Sequence, residues 1–146
     1  MRKIITAFIV LLLFCNCKED DLAQNSCVSQ QLPNYGFDTG ANINLNFPAY
    51  SDLQFAGNAI FVNGYGVRGI YLYNTGGGIV AFEASDPAHA PSSCSTMTLS
   101  GIELSCECGD GNKYQLLTGQ QTAGNTGNCL RAYRVERSDN IVRVYN

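Results

Sequence analysis

Residues 58–85 read NAIFVNGYGVRGIYLYNTGGGIVAFEAS, and this stretch decides the fold class. Three apolar runs, 59–62, 69–73 and 79–83, are rich in Ile, Val, Phe and Tyr and too short to carry a helical period. Between them stand Asn63-Gly64 and the run Asn74-Thr75-Gly76-Gly77-Gly78. Asn and Gly tolerate the positive φ of tight hairpins, so the stretch predicts three consecutive antiparallel strands. The glycines are turn residues rather than a phosphate cradle, since neither a lysine nor a helical pattern follows them.

The same pattern continues on both sides. INLNF (43–47) alternates apolar and polar residues and stops at Pro48, as a half-buried strand does. KYQLL (113–117), LRAYRVE (130–136) and IVRVYN (141–146) read as further strands, the last two joined by the RSDN turn. Only AYSDLQFAG (49–57) suggests a short helical piece. Hairpins at this spacing predict an all-β fold, a small antiparallel sandwich or barrel.

The N-terminus carries Arg2 and Lys3, an apolar run from Ile4 to Phe14, then Cys15, Cys17 and an acidic cluster. This is the pattern of an export signal, and its apolar run is shorter than the roughly 20 residues of a membrane-spanning helix. LLLFCNC (11–17) resembles a relaxed lipobox, with Cys17 the residue to be lipidated. CKEDD (17–21) resembles the signal that sends lipoproteins of some Gram-negative bacteria to the outer face of the outer membrane. The expected organisation is a signal peptide at 1–16, a lipidated N-terminus and polar tether at 17–32, and one β domain at 33–146. A plain secreted protein cut near Asn16 is the alternative. Charged residues make up only 14% of the chain and the net charge is −3, which argues against binding nucleic acid through phosphates.

EASDPAHAPSSCSTMTLSGIELSCECGDG (83–111) gathers Cys94, Cys106, Cys108 and the single histidine, His89. With Cys15 lost and Cys17 lipidated, the remaining cysteines are Cys27, Cys94, Cys106, Cys108 and Cys129, an odd number in an oxidising compartment. Strand alternation in GIELSCEC puts Ile102, Leu104, Cys106 and Cys108 on one face, toward the core. Cys106 with Cys129 and Cys27 with Cys129 are competing pairs. His89, Cys94, Cys106 and Cys108 could supply a tetrahedral zinc set, although Cys-x-Cys is a poor chelating pair. A Cys106/Cys108 dithiol for disulfide exchange is disfavoured by Glu103, Glu107 and Asp110 around it. No Ser-His-Asp arrangement is legible around His89. Tyr35, Tyr50, Tyr65, Tyr71 and Tyr73 could form a binding face, but read more simply as strand residues.

Taken in order, strands ending GGIVAFEAS, a loop with Cys94, a strand, CECGDGNKYQLLTG and a closing LRAYRVERSDNIVRVYN hairpin resemble a Rieske iron–sulfur domain. The resemblance covers roughly Asn44 to Asn146 and is most specific at Cys106-Glu107-Cys108, Tyr114, Gly119 and Tyr133-Arg134-Val135. It implies a Rieske-like topology and a cluster held by two thiolates and two imidazoles. The second-loop thiolate maps onto Cys106 and its imidazole onto Gly109, which has no side chain. In the first loop the ligands map onto Asp86 and Ala88, or, in a second register, onto Cys94 and Thr96. In the first register His89 stands one position from Ala88, and in either register at least one imidazole is missing. The resemblance also implies a disulfide between Cys94 and Cys108 that clamps the two loops.

The functional expectation is a lipid-anchored, surface-exposed protein with no cluster or other cofactor and no enzymatic activity. It would be a binding or structural module with a protein or glycan partner. The alternative is a redox protein with a non-standard iron–sulfur or zinc centre, or one that exchanges disulfides.

Overall fold

The computed structural model describes Cys27 and residues 31–146, and places ten strands and one turn of 3-10 helix among them. They are β1 (Ile43–Asn44), β2 (Ala59–Val62), β3 (Ile70–Asn74), β4 (Ile79–Glu83), β5 (Thr98–Ser100), β6 (Glu103–Ser105), β7 (Lys113–Gln115), β8 (Gln121–Ala123), β9 (Ala132–Ser138) and β10 (Ile141–Tyr145). The fold is all-β and antiparallel, in two sheets of order β1-β10-β9-β4-β3-β2 and β5-β6-β7-β8. No described helix is long and apolar enough to cross a membrane.

The larger sheet is buried on both faces at its centre, which explains the continuous apolar IYLY of β3. Ile70 and Leu72 point into one core with Ile43, Leu45, Leu53, Ala81, Tyr133, Val142 and Val144. Tyr71 and Tyr73 point to the opposite side, into a second core with Phe82, Met97, Leu104, Tyr114 and Leu116. The smaller sheet lies over this second core. It is an insertion between β4 and β9, which pair directly through Ala81–Tyr133 and Phe82–Ala132. The chain therefore leaves the large sheet after β4, builds the four-stranded layer and returns at β9.

Glu83 closes β4, is fully buried and organises the exit of the chain. Its side-chain oxygens accept from the backbone N–H groups of Val67 (2.7 Å), Arg68 (3.0 Å) and Ser85 (3.0 Å) and from the Tyr133 hydroxyl (2.6 Å). Gly66, at φ +66°, makes the close approach: a Cβ there would strike Glu83 Oε2 and lie 3.0 Å from the Tyr133 hydroxyl.

Several boundaries differ from the sequence reading. INLNF pairs only at Ile43–Asn44, because the chain turns at once: Phe47 N–H bonds back to the Asn44 carbonyl, leaving Phe47 exposed. β3 begins at Ile70, since Gly69 has φ +101°. AYSDLQFAG contains a 3-10 turn at Ser51–Gln54. β7 ends at Gln115; Leu116 is buried and Leu117 exposed. β9 runs on to Ser138, so the hairpin to β10 turns at Asp139 and Asn140 with Asp139 at φ +52°. In GIELSCEC, Leu104 and Cys106 are buried, but Ile102 is exposed in the turn before β6.

Candidate functional site

Two loops meet at one end of the small sheet. The first, between β4 and β5, leaves and returns as a narrow ribbon: Asp86 N–H bonds the Ser95 carbonyl (2.7 Å), Met97 N–H bonds the Ala84 carbonyl (2.9 Å) and the buried hydroxyls of Ser85 and Ser95 lie 3.0 Å apart. The second, between β6 and β7, is closed at its base by Cys106 N–H to the Asn112 carbonyl (2.9 Å). Between the loops, Glu107 N–H reaches the Cys94 carbonyl (3.3 Å), and Cys94 is disulfide-bonded to Cys108 with their Cα atoms 4.8 Å apart. Gly109, at φ +85°, lets the second loop turn immediately after the bridge.

The space under this clamp is polar. Asp86 is fully buried: Oδ1 accepts from the Tyr114 hydroxyl (2.7 Å) and Ala88 N–H (2.9 Å), and Oδ2 accepts from Asn112 Nδ2 (3.1 Å). Asn112 also donates to Asp110, and its own Oδ1 accepts from Gln121 Nε2 (3.0 Å), so its orientation is fixed from both sides. His89 Nε2 lies 2.6 Å from Asp110 Oδ2 and 3.7 Å from Asp86 Oδ2. Burial, together with the Asn112 and His89 contacts, sets the Asp110 carboxyl: burial raises it, the His89 and Asn112 bonds outweigh that, and the net shift is downward.

Cys106 is the free cysteine among the described residues, and it is buried. Burial, and then its hydrogen bond to Asp86, push the thiol up to about 12. A thiol so protonated at neutral pH is a poor nucleophile, which weighs against disulfide exchange through Cys106.

The zinc set read from sequence is not assembled, because Cys94 and Cys108 are spent on each other. Cys129 is bonded to Cys27 and not to Cys106. That bridge, a Gln31 N–H bond to the Pro87 carbonyl and the buried side chain of Leu32 hold Cys27, Gln31 and Leu32, read as tether, against the β domain. Cys17 lies outside the described residues. The tyrosines form no common face: Tyr71 and Tyr73 are buried, Tyr50 and Tyr65 pack on the first core, and Tyr35 is exposed. Sequence reading missed the bonds of Asp86 to Tyr114 and Asn112. The only signal for them was an Asp directly after a strand, preceding a proline, far in sequence from its partners.

An iron–sulfur cluster does not fit these residues. Asp86 lies beside Cys106, their ligand atoms within 4.8 Å, while Thr96 receives the Arg68 side chain (2.8 Å). Asp86 is a carboxylate where the cluster needs a thiolate, Ala88 and Gly109 offer no donor at the imidazole positions, and His89 alone cannot supply two imidazoles.

No protein-family model and no curated protein sequence matches the chain. Among solved structures, it is similar to a chain of the complex of reduced oxygenase and oxidized ferredoxin in carbazole 1,9a-dioxygenase, with 28% identity, 66% of this chain and 87% of that chain covered, and a TM-score of 0.47. It is also similar to the ferredoxin of carbazole 1,9a-dioxygenase from Nocardioides aromaticivorans IC177 (18% identity, 62% and 86% covered, TM-score 0.43). A third is the Sphingomonas yanoikuyae B1 ferredoxin (17% identity, 63% and 88% covered, TM-score 0.45).

Proposed function

We propose that this chain is a Rieske-like β domain without an iron–sulfur cluster, carried on the outer face of a bacterial outer membrane by a lipid on Cys17. There it serves as a non-enzymatic binding or structural module for a protein or glycan. One observation carries the loss of the cluster: of four ligand positions, only Cys106 holds a suitable side chain, and Asp86 at the second thiolate position is bound by Tyr114, Ala88 and Asn112. The disulfide between Cys94 and Cys108 joins the loops without needing a cluster between them. The anchor rests on LLLFCNCKEDD, and the non-enzymatic role on the absence of any legible nucleophile–base pair in the sequence.

The test is iron and acid-labile sulfide analysis of the purified protein, with its visible spectrum and peptide mapping of the unreduced chain. The expected result is no stoichiometric iron or sulfide, no visible band, and a linked Cys94–Cys108 peptide. Iron with equimolar sulfide overturns the reading. For the anchor, Cys17→Ser is expected to abolish lipid labelling and release the protein from the membrane fraction, and unchanged labelling overturns that part.

A further inference from the structure

Asp86, His89, Cys106 and Asp110 each offer a ligand atom, and these atoms all lie within 4.8 Å of one another. They combine a carboxylate and an imidazole from the first loop with a thiol and a carboxylate from the second. Two carboxylates and a thiol converge here, and among the described residues the ion pairs of Asp86 and Asp110 are to His89 alone. On the small sheet, Lys113 is paired with Glu103. Two carboxylates, a thiol and an imidazole at one point are the donor types of a cation site.

We infer that Asp86, His89, Cys106 and Asp110 form a four-coordinate site for a single divalent ion of the zinc class. This rests on the cluster-free reading above, since the ion would lie where the cluster is missing.

The geometry suits it. Bonds of about 2.0–2.3 Å to N, O and S set tetrahedral ligand atoms roughly 3.2–3.7 Å apart, so the present spacings need changes of up to about 1.5 Å. His89 Nε2 and Asp110 Oδ2, now 2.6 Å apart, would open, and the wider pairs would close. His89 and Asp110 are on loops with side chains 32% and 29% exposed, which lets them shift and gives the ion its way in from solvent. Hydrogen bonds already orient the carboxylates: Asp86 through Oδ1 by Tyr114 and Ala88, and both Oδ2 atoms by Asn112, whose own orientation Gln121 fixes. Supporting bonds of this kind orient the ligands of natural metal sites. The mixed O, N and S donors favour a borderline ion over calcium or magnesium, which prefer oxygen alone. On binding, the ion takes the sulfur lone pair freed when the Cys106 Sγ proton leaves to solvent, and nothing is oxidised or reduced.

The experiment uses the full-length protein in detergent with its disulfides intact, stripped with chelator and titrated with Co2+ and then Zn2+. Expected is one Co2+ per chain, tetrahedral cobalt bands and a thiolate-to-cobalt charge-transfer band, all displaced by Zn2+. Cys106→Ser should lose the charge-transfer band, with circular dichroism reporting that the fold persists. His89→Gln and Asp110→Asn alter the exposed rim and should each weaken Co2+ binding by roughly tenfold or more. The inference is overturned by no saturable binding up to millimolar Co2+, or by a cobalt spectrum unchanged in Cys106→Ser. If Cys106→Ser does not fold, unchanged affinity in both rim variants overturns it. Iron with acid-labile sulfide would overturn the cluster-free reading itself, and the sulfide assay tells that outcome from zinc.

Discussion

Two buried carboxylates at the end of β4 set the local structure, and each is defined by what donates to it. Glu83 receives four bonds, those from Ser85 N–H and the Tyr133 hydroxyl buried and those from Val67 and Arg68 N–H part-buried, so its removal leaves these donors without their acceptor. Glu83→Gln is the sharper test because it keeps the shape and replaces one acceptor oxygen by a donor facing other donors. It is expected to cost about 2–4 kcal/mol in urea unfolding, whereas Tyr133→Phe, which removes one hydroxyl, should cost about 1–2 kcal/mol. Equal costs would show that the backbone N–H bonds to Glu83 contribute nothing. Asp86 was legible as a residue at a ligand position, because loop resemblance gave its place. Glu83 was not, because its donors come from the 66–68 turn and from β9, which only the folded sheet brings beside it.

Strands were legible wherever period and turn residues agreed. β2, β3 and β4 were found within a residue because Asn63-Gly64 and the 74–78 run bound them on both sides. β8 was missed, since Gln121, Thr122 and Ala123 carry no apolar alternation: this is the exposed edge of the small sheet. The inward direction of Ile102 was misjudged because alternation was extended back to Ile102, which stands with Gly101 (φ +63°) in the turn before β6 begins at Glu103. At this scale the loop clamp makes the next prediction. Reducing the Cys94–Cys108 bridge frees a loop with a sequence separation of 14, for which the chain-entropy model gives about 3 kcal/mol. Cys94→Ser should therefore lower the urea midpoint and speed amide exchange first in the two loops. Cys27→Ser opens the much longer loop to Cys129, separation 102, and should cost about 4–5 kcal/mol by the same model. A Cys94→Ser variant as stable as the parent would mean that the hydrogen bonds between the loops hold them without the bridge.

At the scale of the whole molecule, the six-stranded sheet is a shared wall between two cores, so neither half can lose its packing without exposing the back of β3 and β4. Tyrosines on the two sides report on this independently. Tyr133 lies in the first core, and burial followed by its bond to Glu83 raises its pKa well above the ordinary value. Tyr71 lies in the second core with its hydroxyl on the Met97 carbonyl (2.9 Å), and burial raises its pKa as well. A folded-state pKa above the unfolded one means the unfolded chain gives up its protons first. The stability these tyrosines contribute is fully present below about pH 10, the unfolded tyrosine value, and is lost as the pH climbs above it. Alkaline titration should thus show a steep rise in tyrosinate absorbance from the buried tyrosines that coincides with loss of the β circular dichroism signal. Because both cores share one sheet, that rise should be a single step, and Tyr133→Phe should move it to higher pH relative to the variant's own neutral-pH stability. Two separated steps, one for each core, would show that the inserted four-stranded layer unfolds on its own and that the sheet does not couple the loop site to the rest of the domain.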